Sequence, residues 1–302
     1  MRSKISIVTV FYGGDAALMR LQARSLAKNF DHDSIEQIVL IFNDSRKILS
    51  EEMKMGLLKL YDSLAGKVEF FFPSDLGLSD VSLPGWKKQQ VIKILSHRKC
   101  KSNKVLMLDA KNHFLIPTNA SQYFTEEGTP RNFFSKKYGQ QLIWAAASLK
   151  YFGNDPSLSQ EEIPPTVTPY AVYRQTLHDL TREIEKRDSS VEALFAKPDF
   201  SGTEFYLIFS FLLWSASDGI REIFAEGEVP ATIYSTWPAT PEDVDKVLVR
   251  AESNKTHAFG LHSRRNRLLT KVEWDRIVSI WKAADIYDVE CADYLFNNIV
   301  DL

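Results

Sequence analysis

Short apolar runs alternate with longer amphipathic stretches along the first third of the chain, and the two periods can be read separately. Lys4–Tyr12 is β-branched and partly alternating, which predicts a first strand closed by Gly13-Gly14. Asp15 stands where it can cap a helix, and Leu18, Leu21, Ala23, Leu26 and Phe30 give that helix an apolar stripe near the helical period. Gln37–Phe42 reads as a second, buried strand ending in Asn43-Asp44, Ser50–Leu64 as a second helix, and Val68–Phe72 as a third strand broken at Pro73. This βαβαβ order predicts an α/β fold with a parallel sheet and right-handed crossovers.

Val105–Leu108 is apolar throughout, as expected of a central strand covered on both faces. It ends in Asp109, Lys111, Asn112 and His113, at the carboxyl end of a strand, where open α/β sheets bind ligands. Upstream, Trp86–Ile94 predicts a helix with the stripe Trp86, Val91, Ile94 and Leu95; Lys87 and Gln90 fall beside it, as a solvated shoulder or as groups turned into a site. Downstream, Arg131–Ser135 reads as a short strand and Gln140–Tyr151 as a helix. The proline-rich Glu162–Thr168 is the clearest internal boundary, after which an extended segment resumes at Pro169. Pro169 and Tyr170, a rigid backbone followed by an aromatic ring, suit either a wall for a sugar or base, or packing. Leu177–Lys186 reads as a charged surface helix. Ser201-Gly-Thr-Glu204 before the apolar helix Phe205–Trp214 has the form of a capping box; the alternative role for Glu204 is a general base at a site rim. Thr240-Pro241 and Thr270–Glu273 also signal helix starts.

Composition narrows the class. At 302 residues, 44% hydrophobic and 25% charged, the chain can bury a full core as one large domain or two small ones. A net charge of −2 and a pI near 6.3 provide no global basic field, which argues against general nucleic-acid binding. Charge therefore matters locally. His257, His262, Arg264, Arg265 and Arg267 cluster around Gly260 with no acid before Lys271, forming either a local anion site or a surface basic loop. Cys100 and Cys291 fit neither a disulfide framework nor a zinc cluster, which suggests a reducing, cytoplasmic setting. The amino terminus leads into a strand without a signal-peptide pattern, and no segment approaches the roughly 20 apolar residues of a membrane span, so membrane contact is expected to be peripheral at most. No Gly-x-Gly-x-x-Gly follows the first strand and no Walker loop is present, which disfavours dinucleotide oxidoreductases and P-loop enzymes.

Taken in order, the first strand, Asn43-Asp44, the Asp109 cluster and the late His/Gly/Arg loop resemble bacterial glycosyltransferases of the GT-A fold. More narrowly, Gly85-Trp86-Lys87-Lys88-Gln89-Gln90, Leu108–Phe114, Thr168-Pro169-Tyr170 and Thr203-Glu204-Phe205 are similar to a bacterial family described only as glycosyltransferase-like. The similarity runs from about Ile5 to Arg265, and the order of its short motifs carries most of its weight.

The resemblance implies one GT-A-like domain over 1–302, with a mixed, mostly parallel central sheet flanked by helices and a helical C-terminal part. Residues 1–118 form the nucleotide-sugar half, and 119–302 the acceptor half with the C-terminal helices. It implies transfer of a sugar from a nucleotide-sugar donor to a hydroxyl of a saccharide or lipid-linked saccharide, in surface polysaccharide synthesis at the inner face of the membrane. On this reading Phe11, Tyr12, Asn43 and Asp44 hold the nucleoside. Lys87, Gln90, Asn112, His113, His262, Arg264 and Arg265 belong to the donor side, Pro169 and Tyr170 to the acceptor side, and Glu204 is the base of an inverting reaction. Asp109 takes the first position of an Asp-x-Asp motif, but the third is Lys111, a cation where a ligand for Mn or Mg is expected. Lys111, with His262, Arg264 and Arg265, is then expected to stabilise the leaving phosphate and reduce metal dependence, although Asn112 or His113 can complete a weak metal site with Asp109. The alternatives are a nucleotidyltransferase and a non-catalytic nucleotide-sugar-binding or scaffold protein with a degenerate motif.

Overall fold

The computed structural model describes residues 4–44, 48–78, 83–215, 223–235, 237–253 and 255–297, without the side chains of 264, 266, 267 and 297. Its centre is a five-stranded sheet in the order β3-β2-β1-β4-β7. Strands β1 (Ile5–Phe11), β2 (Ile35–Phe42), β3 (Val68–Phe71) and β4 (Lys104–Asp109) are parallel, and β7 (Tyr170–Tyr173) lies antiparallel along β4. The expected mixed, mostly parallel central sheet flanked by helices is therefore present.

Strand periodicity sorts the core into two layers. Ile5, Ile7, Phe11, Leu106 and Leu108 face one layer, which also contains α1 (Ala16–Asn29), α2 (Glu51–Tyr61) and C-terminal helices. Val8, Val10, Val105 and Met107 face the other, formed by α3 (Gly85–Leu95), α4 (Gln140–Tyr151), α5 (Arg174–Asp188), α6 (Val191–Ala196) and α7 (Glu204–Ser215). Burial on both faces explains why Val105–Leu108 of β4, between the part-buried Lys104 and Asp109, are all apolar.

The winding order locates the crevice. The chain builds outward from β1 to β3, then returns to lay β4 on the other side of β1. The sheet's topological switch point thus lies between the carboxyl ends of β1 and β4, where Val10 stands in register with Asp109.

Past β4, a second sheet joins β5 (Asn112–Phe114), β10 (Ala258–Leu261) and β9 (Ala231–Ile233). It brings the late His/Gly/Arg segment beside the Asp109 cluster, with Gly260 opposite Asn112. A Cβ at Gly260 would stand 3.0 Å from the Thr232 side chain and 3.3 Å from Asn112 Nδ2, so any larger residue would have to push these side chains aside by a few tenths of an ångström.

Two expected elements change. The strand expected over Arg131–Ser135 shrinks to β6 (Arg131–Asn132), paired with β8 (Ala225–Glu226), and the charged helix extends to Arg174–Asp188. The helix starts at Thr240 and Thr270 form as expected, opening α8 (Pro241–Glu252) and α9 (Lys271–Ala283); Thr270 and Glu273 make a capping box. Among the described residues no helix is long and apolar enough to cross a membrane.

Candidate active site

A buried network of alternating charges occupies the crevice beside β4. Lys93 Nζ, from α3, donates to Glu204 Oε1 at 2.9 Å and lies 2.8 Å from Asp109 Oδ1. Asp109 Oδ2 takes an ion pair from Lys111 and a hydrogen bond from Thr168 Oγ1 at 2.9 Å. The side chains of Lys93, Glu204 and Lys111 are 7%, 6% and 10% exposed, so these charges have left water and depend on one another. Lys93 Nζ also sits 4.9 Å from the centre of the Phe205 ring, a cation–π contact that helps offset its desolvation.

Local structure fixes this geometry from several sides. The Asp109 amide donates to Asn112 Oδ1 at 2.8 Å, closing the turn after β4. Gln22, buried on α1, donates to the carbonyls of Asp109 and Asn112 at 2.8 and 3.0 Å, and its own carbonyl accepts from Thr9 Oγ1 at 2.8 Å. Glu204 opens α7; its amide donates to Gln90 Oε1 at 3.2 Å, and the Thr203 amide donates to Ser148 Oγ at 3.3 Å.

The electrostatic balance favours full ionisation of the central pair. Burial by itself pushes the Asp109 carboxyl up, but Lys111 and Lys93 outweigh it and hold the group well below the usual carboxylate range. Burial pulls Lys93 down, while Asp109 and Glu204 carry it above the ordinary ammonium range. Asp15 behaves differently: burial, reinforced by Asp109, pushes it up to about 7 against the Tyr12 amide and Lys111. It does not cap α1 through its side chain; its carboxylate turns back to accept from the Tyr12 amide at 3.3 Å.

The donor set does not fit a divalent cation at Asp109. The carboxylate already faces two ammonium groups and a hydroxyl, and a metal ion there would meet the like charges of Lys93 and Lys111 at contact range. Among the described residues no three His, Cys, Asp or Glu side chains converge as a metal-binding group. The site's fixed cations are its lysines. Each ammonium has three N–H donors; Lys93 uses two on Glu204 and Asp109, and Lys111 pairs with Asp109 and donates to Thr168 Oγ1 at 3.4 Å, which leaves one donor on each for an anionic oxygen.

The residues singled out from the sequence fall into distinct places. Tyr12, Asn43 and Asp44 lie at the carboxyl edge of β1 and β2: the Asn43 amide donates to Phe11 O at 2.7 Å, and Asp44 Oδ2 accepts from the Gly13 amide at 3.1 Å. Tyr12 is exposed and its ring fills the space a Cβ would need at Gly14. Phe11 instead packs in the core, 5.3 Å from the Phe42 ring, so a role as nucleoside wall gives way to packing. Lys87 donates to Phe195 O at 2.8 Å and stands outside the network. Asn112 braces the turn and donates to Thr168 O at 3.3 Å.

His113 is fully buried between Phe259 and Trp281, and its Nε2 accepts from Trp281 Nε1 at 2.7 Å. Burial pushes its pKa down to about 3, so a neutral core histidine replaces the expected donor ligand. Tyr170 is buried and stacked on Phe205 with centroids 4.1 Å apart, which leaves no face for an acceptor, while Pro169 lines a small cavity of about 20 Å³ beside Tyr123 and Glu228. Arg265 is also buried and donates to Pro238 O at 2.6 Å. The His262 amide donates to Ile233 O at 2.9 Å, and the side chain of Arg264 lies outside the described residues. The capping box expected at Ser201–Glu204 is replaced by the Lys93 ion pair, because α7 begins at Glu204 rather than two residues earlier, directly after Ser201.

Sequence reasoning passed over Lys93 and read Asp15 only as a helix cap. Lys93 had a readable signal: a single cation inside the apolar run Val91-Ile92-Lys93-Ile94-Leu95, on a face that must be buried. At the outer rim, Trp86 and Trp144 stand with ring centroids 5.4 Å apart, and Trp86 is 49% exposed. Each lies one helical turn before a residue that holds the start of α7, Trp86 before Gln90 and Trp144 before Ser148.

Among solved structures, the chain is similar to the apo form of the bifunctional glycosyltransferase WbbM, at 12% identity over 86% of this chain and 46% of that one, with a TM-score of 0.47. It is also similar to the galactosyltransferase LgtC in complex with donor and acceptor sugar analogues, at 12% identity over 98% and 97% of the two chains and a TM-score of 0.45. Mouse xyloside xylosyltransferase 1 in its apo form gives 15% identity over 85% and 97%, with a TM-score of 0.46. The chain spans less than half the length of WbbM. At these identities and scores none of them assigns an activity to it. No curated protein matches the sequence. The model of the Family of unknown function (DUF6492) matches residues 10–263, most of the chain, and the protein belongs to that family.

Proposed function

We propose that the protein is a GT-A-like glycosyltransferase that moves a sugar from a nucleotide-sugar donor to a hydroxyl of a saccharide or lipid-linked saccharide. The observation that carries this reading is the convergence of Lys93 and Lys111 on Asp109 at the switch-point crevice. In the reaction the acceptor oxygen bonds to the anomeric carbon as the bond from that carbon to the diphosphate breaks. The diphosphate leaves with the electron pair, and its growing negative charge needs a fixed cation. Lys93 and Lys111 supply that charge, while Asp109 and Glu204 hold them in place. Tyr12, Asn43 and Asp44 lie on the nucleoside side, and the exposed Trp86, set against the part-buried Trp144, gives an acceptor sugar an aromatic face. Surface polysaccharide made at the cytoplasmic face of a membrane is the setting that accords with the sequence resemblance.

Glu204 has two roles to separate. As the base that takes the acceptor proton, it gives in-line displacement and inversion. Its ion pair with Lys93 favours the second role, in which it positions Lys93 and takes no proton; the acceptor proton then passes to the departing diphosphate in a retaining route, or to another base. Glu204→Gln keeps a hydrogen-bond acceptor for Lys93 and removes the basic carboxylate. Lost turnover with retained donor binding supports the base, and near-normal turnover supports positioning.

The central test is a donor screen. Thermal shift against UDP-, GDP-, CMP- and dTDP-sugars, with manganese and with chelator, should show stabilisation by one donor class and its slow hydrolysis. Stabilisation by no donor would overturn the proposal. Stabilisation without consumption in the presence of acceptors would favour a non-catalytic binding protein.

A further inference from the structure

A second cationic feature lies at the opposite edge of the sheet. α3 runs antiparallel to the strands, so Trp86 is at the carboxyl edge while its far end, continuing into Ser96–Arg98, reaches the amino edge. β7 also ends there, and α5 starts there at Arg174. Between them is an open groove of about 550 Å³ lined by His97, Arg98, Arg174, His178, Arg182 and Glu185. Three guanidinium groups thus face one carboxylate in a chain whose overall charge is slightly negative.

The groups in the groove are only partly committed. Arg98 donates to Leu76 O at 2.5 Å and to Glu185 Oε1 at 3.1 Å, and Arg174 donates to Cys100 O at 3.2 Å. These contacts hold the two arginines in place and leave other N–H donors on each guanidinium. Arg182 is exposed on the next turns of α5, near Asp179. α5 has no acidic residue in its first turn, so the positive end of its dipole adds to the same field, although Asn103 Oδ1 accepts from the Gln175 amide at 3.2 Å. The rings of His97 and His178 meet edge-on, 5.7 Å apart. Burial, and then the charges of Arg98, His178 and Arg174, push His97 down to about 4, although Glu185 pairs with Arg98 and Asp179 Oδ1 lies 3.1 Å from His178 Nδ1.

We infer that this groove is a second anion-binding site, remote from the crevice and selective for a phosphate-type dianion. Arg98, Arg174 and Arg182 supply forked donors that match phosphate oxygens. The same chemistry is offered by free phosphate or diphosphate and by a phosphorylated lipid headgroup. A dianion among these groups neutralises the local field, so binding raises the pKa of His97 and is accompanied by proton uptake below neutral pH. Arg98, Arg174, Arg182, His178, Glu185 and Asp179 are the charged and titratable groups that set that linkage.

The test uses the full chain with inorganic phosphate and diphosphate in calorimetry, followed by the His97 and His178 ring signals in NMR. Saturable binding is expected, with both ring signals shifting and His97 titrating at higher pH. Arg182→Glu, on an exposed side chain, should weaken binding at least about tenfold, and adding Arg174→Gln should weaken it further. The thermal shift given by a nucleotide-sugar at the crevice should remain, which separates this site from the proposed function. A parallel sedimentation with vesicles of phosphatidic acid in phosphatidylcholine, against phosphatidylcholine alone, distinguishes the sources. Vesicle binding that depends on Arg182 assigns a lipid headgroup, and solution binding without it assigns a free phosphate. No saturable binding to either probe, or binding unchanged by both substitutions, would overturn the inference.

Discussion

Lys93 donates to Glu204 at 2.9 Å across 111 residues of sequence, and the same ammonium lies 2.8 Å from Asp109. One buried lysine therefore ties α3, the end of β4 and the start of α7 into a single charged unit. Its removal leaves Glu204 buried without its cation and Asp109 with Lys111 as its remaining ion-pair partner. Lys93→Met is expected to cost about 3–5 kcal/mol of stability, and the double variant Lys93→Met/Glu204→Met to recover much of that loss. Urea unfolding of the two single variants and the double variant measures the coupling. Simple addition of the two losses would show that the pair is not coupled.

Lys111 stands where a metal-binding acid is expected and pairs with Asp109 instead. If it stabilises the departing diphosphate, Lys111→Met lowers kcat about 100-fold, and manganese does not restore it. Steady-state kinetics with the donor found by the screen, in manganese and in chelator, decides this. Strict manganese dependence of the unaltered protein, together with a harmless Lys111→Met, would contradict it.

Asp15 gives the site a pH dependence opposite to that of Asp109. Its folded pKa is raised to about 7, above its unfolded value, so between the ordinary carboxylate range and about pH 7 the unfolded chain has released a proton that the folded chain keeps. Stability from this group therefore falls as pH rises through that window. Asp109, held below its ordinary range, contributes stability that is present above the unfolded value and lost as pH falls into the acid. Asp15→Asn is expected to be more stable than the unaltered chain at about pH 8 and nearly equal to it at about pH 4. Denaturation midpoints at the two pH values provide the comparison.

The exposed Trp86, which stands against the part-buried Trp144, is expected to act on acceptor affinity with little effect on the fold. Trp86→Ala should raise the acceptor KM about tenfold, leave donor binding unchanged and alter stability by no more than about 1 kcal/mol. An unchanged acceptor KM would place the acceptor elsewhere.

The parallel core strands and most helices could be read from the sequence, because local periodicity follows from burial on one or both faces. The boundaries of α4 and the starts at Thr240 and Thr270 needed only local chemistry. Asp109 was also identifiable, since a fully apolar strand that stops at an acid marks a sheet edge. Other assignments failed for one common reason: a polar residue looks the same in sequence whether it faces a ligand or a buried partner. His113 accepts from Trp281, Arg265 turns to Pro238 and Tyr170 stacks on Phe205, and none of those partners is near in sequence.

By itself, then, the sequence determined the α/β layering, the central place of Val105–Leu108 and the cation Lys111 two residues after the strand-ending Asp109. Tertiary structure decided what surrounds that cation. Only folding places Lys93 between Asp109 and Glu204, brings Thr168 to the same carboxylate and lays β7 antiparallel along β4. Charges in water act weakly at a distance, and it is burial that makes these few long-range pairs strong enough to define the site.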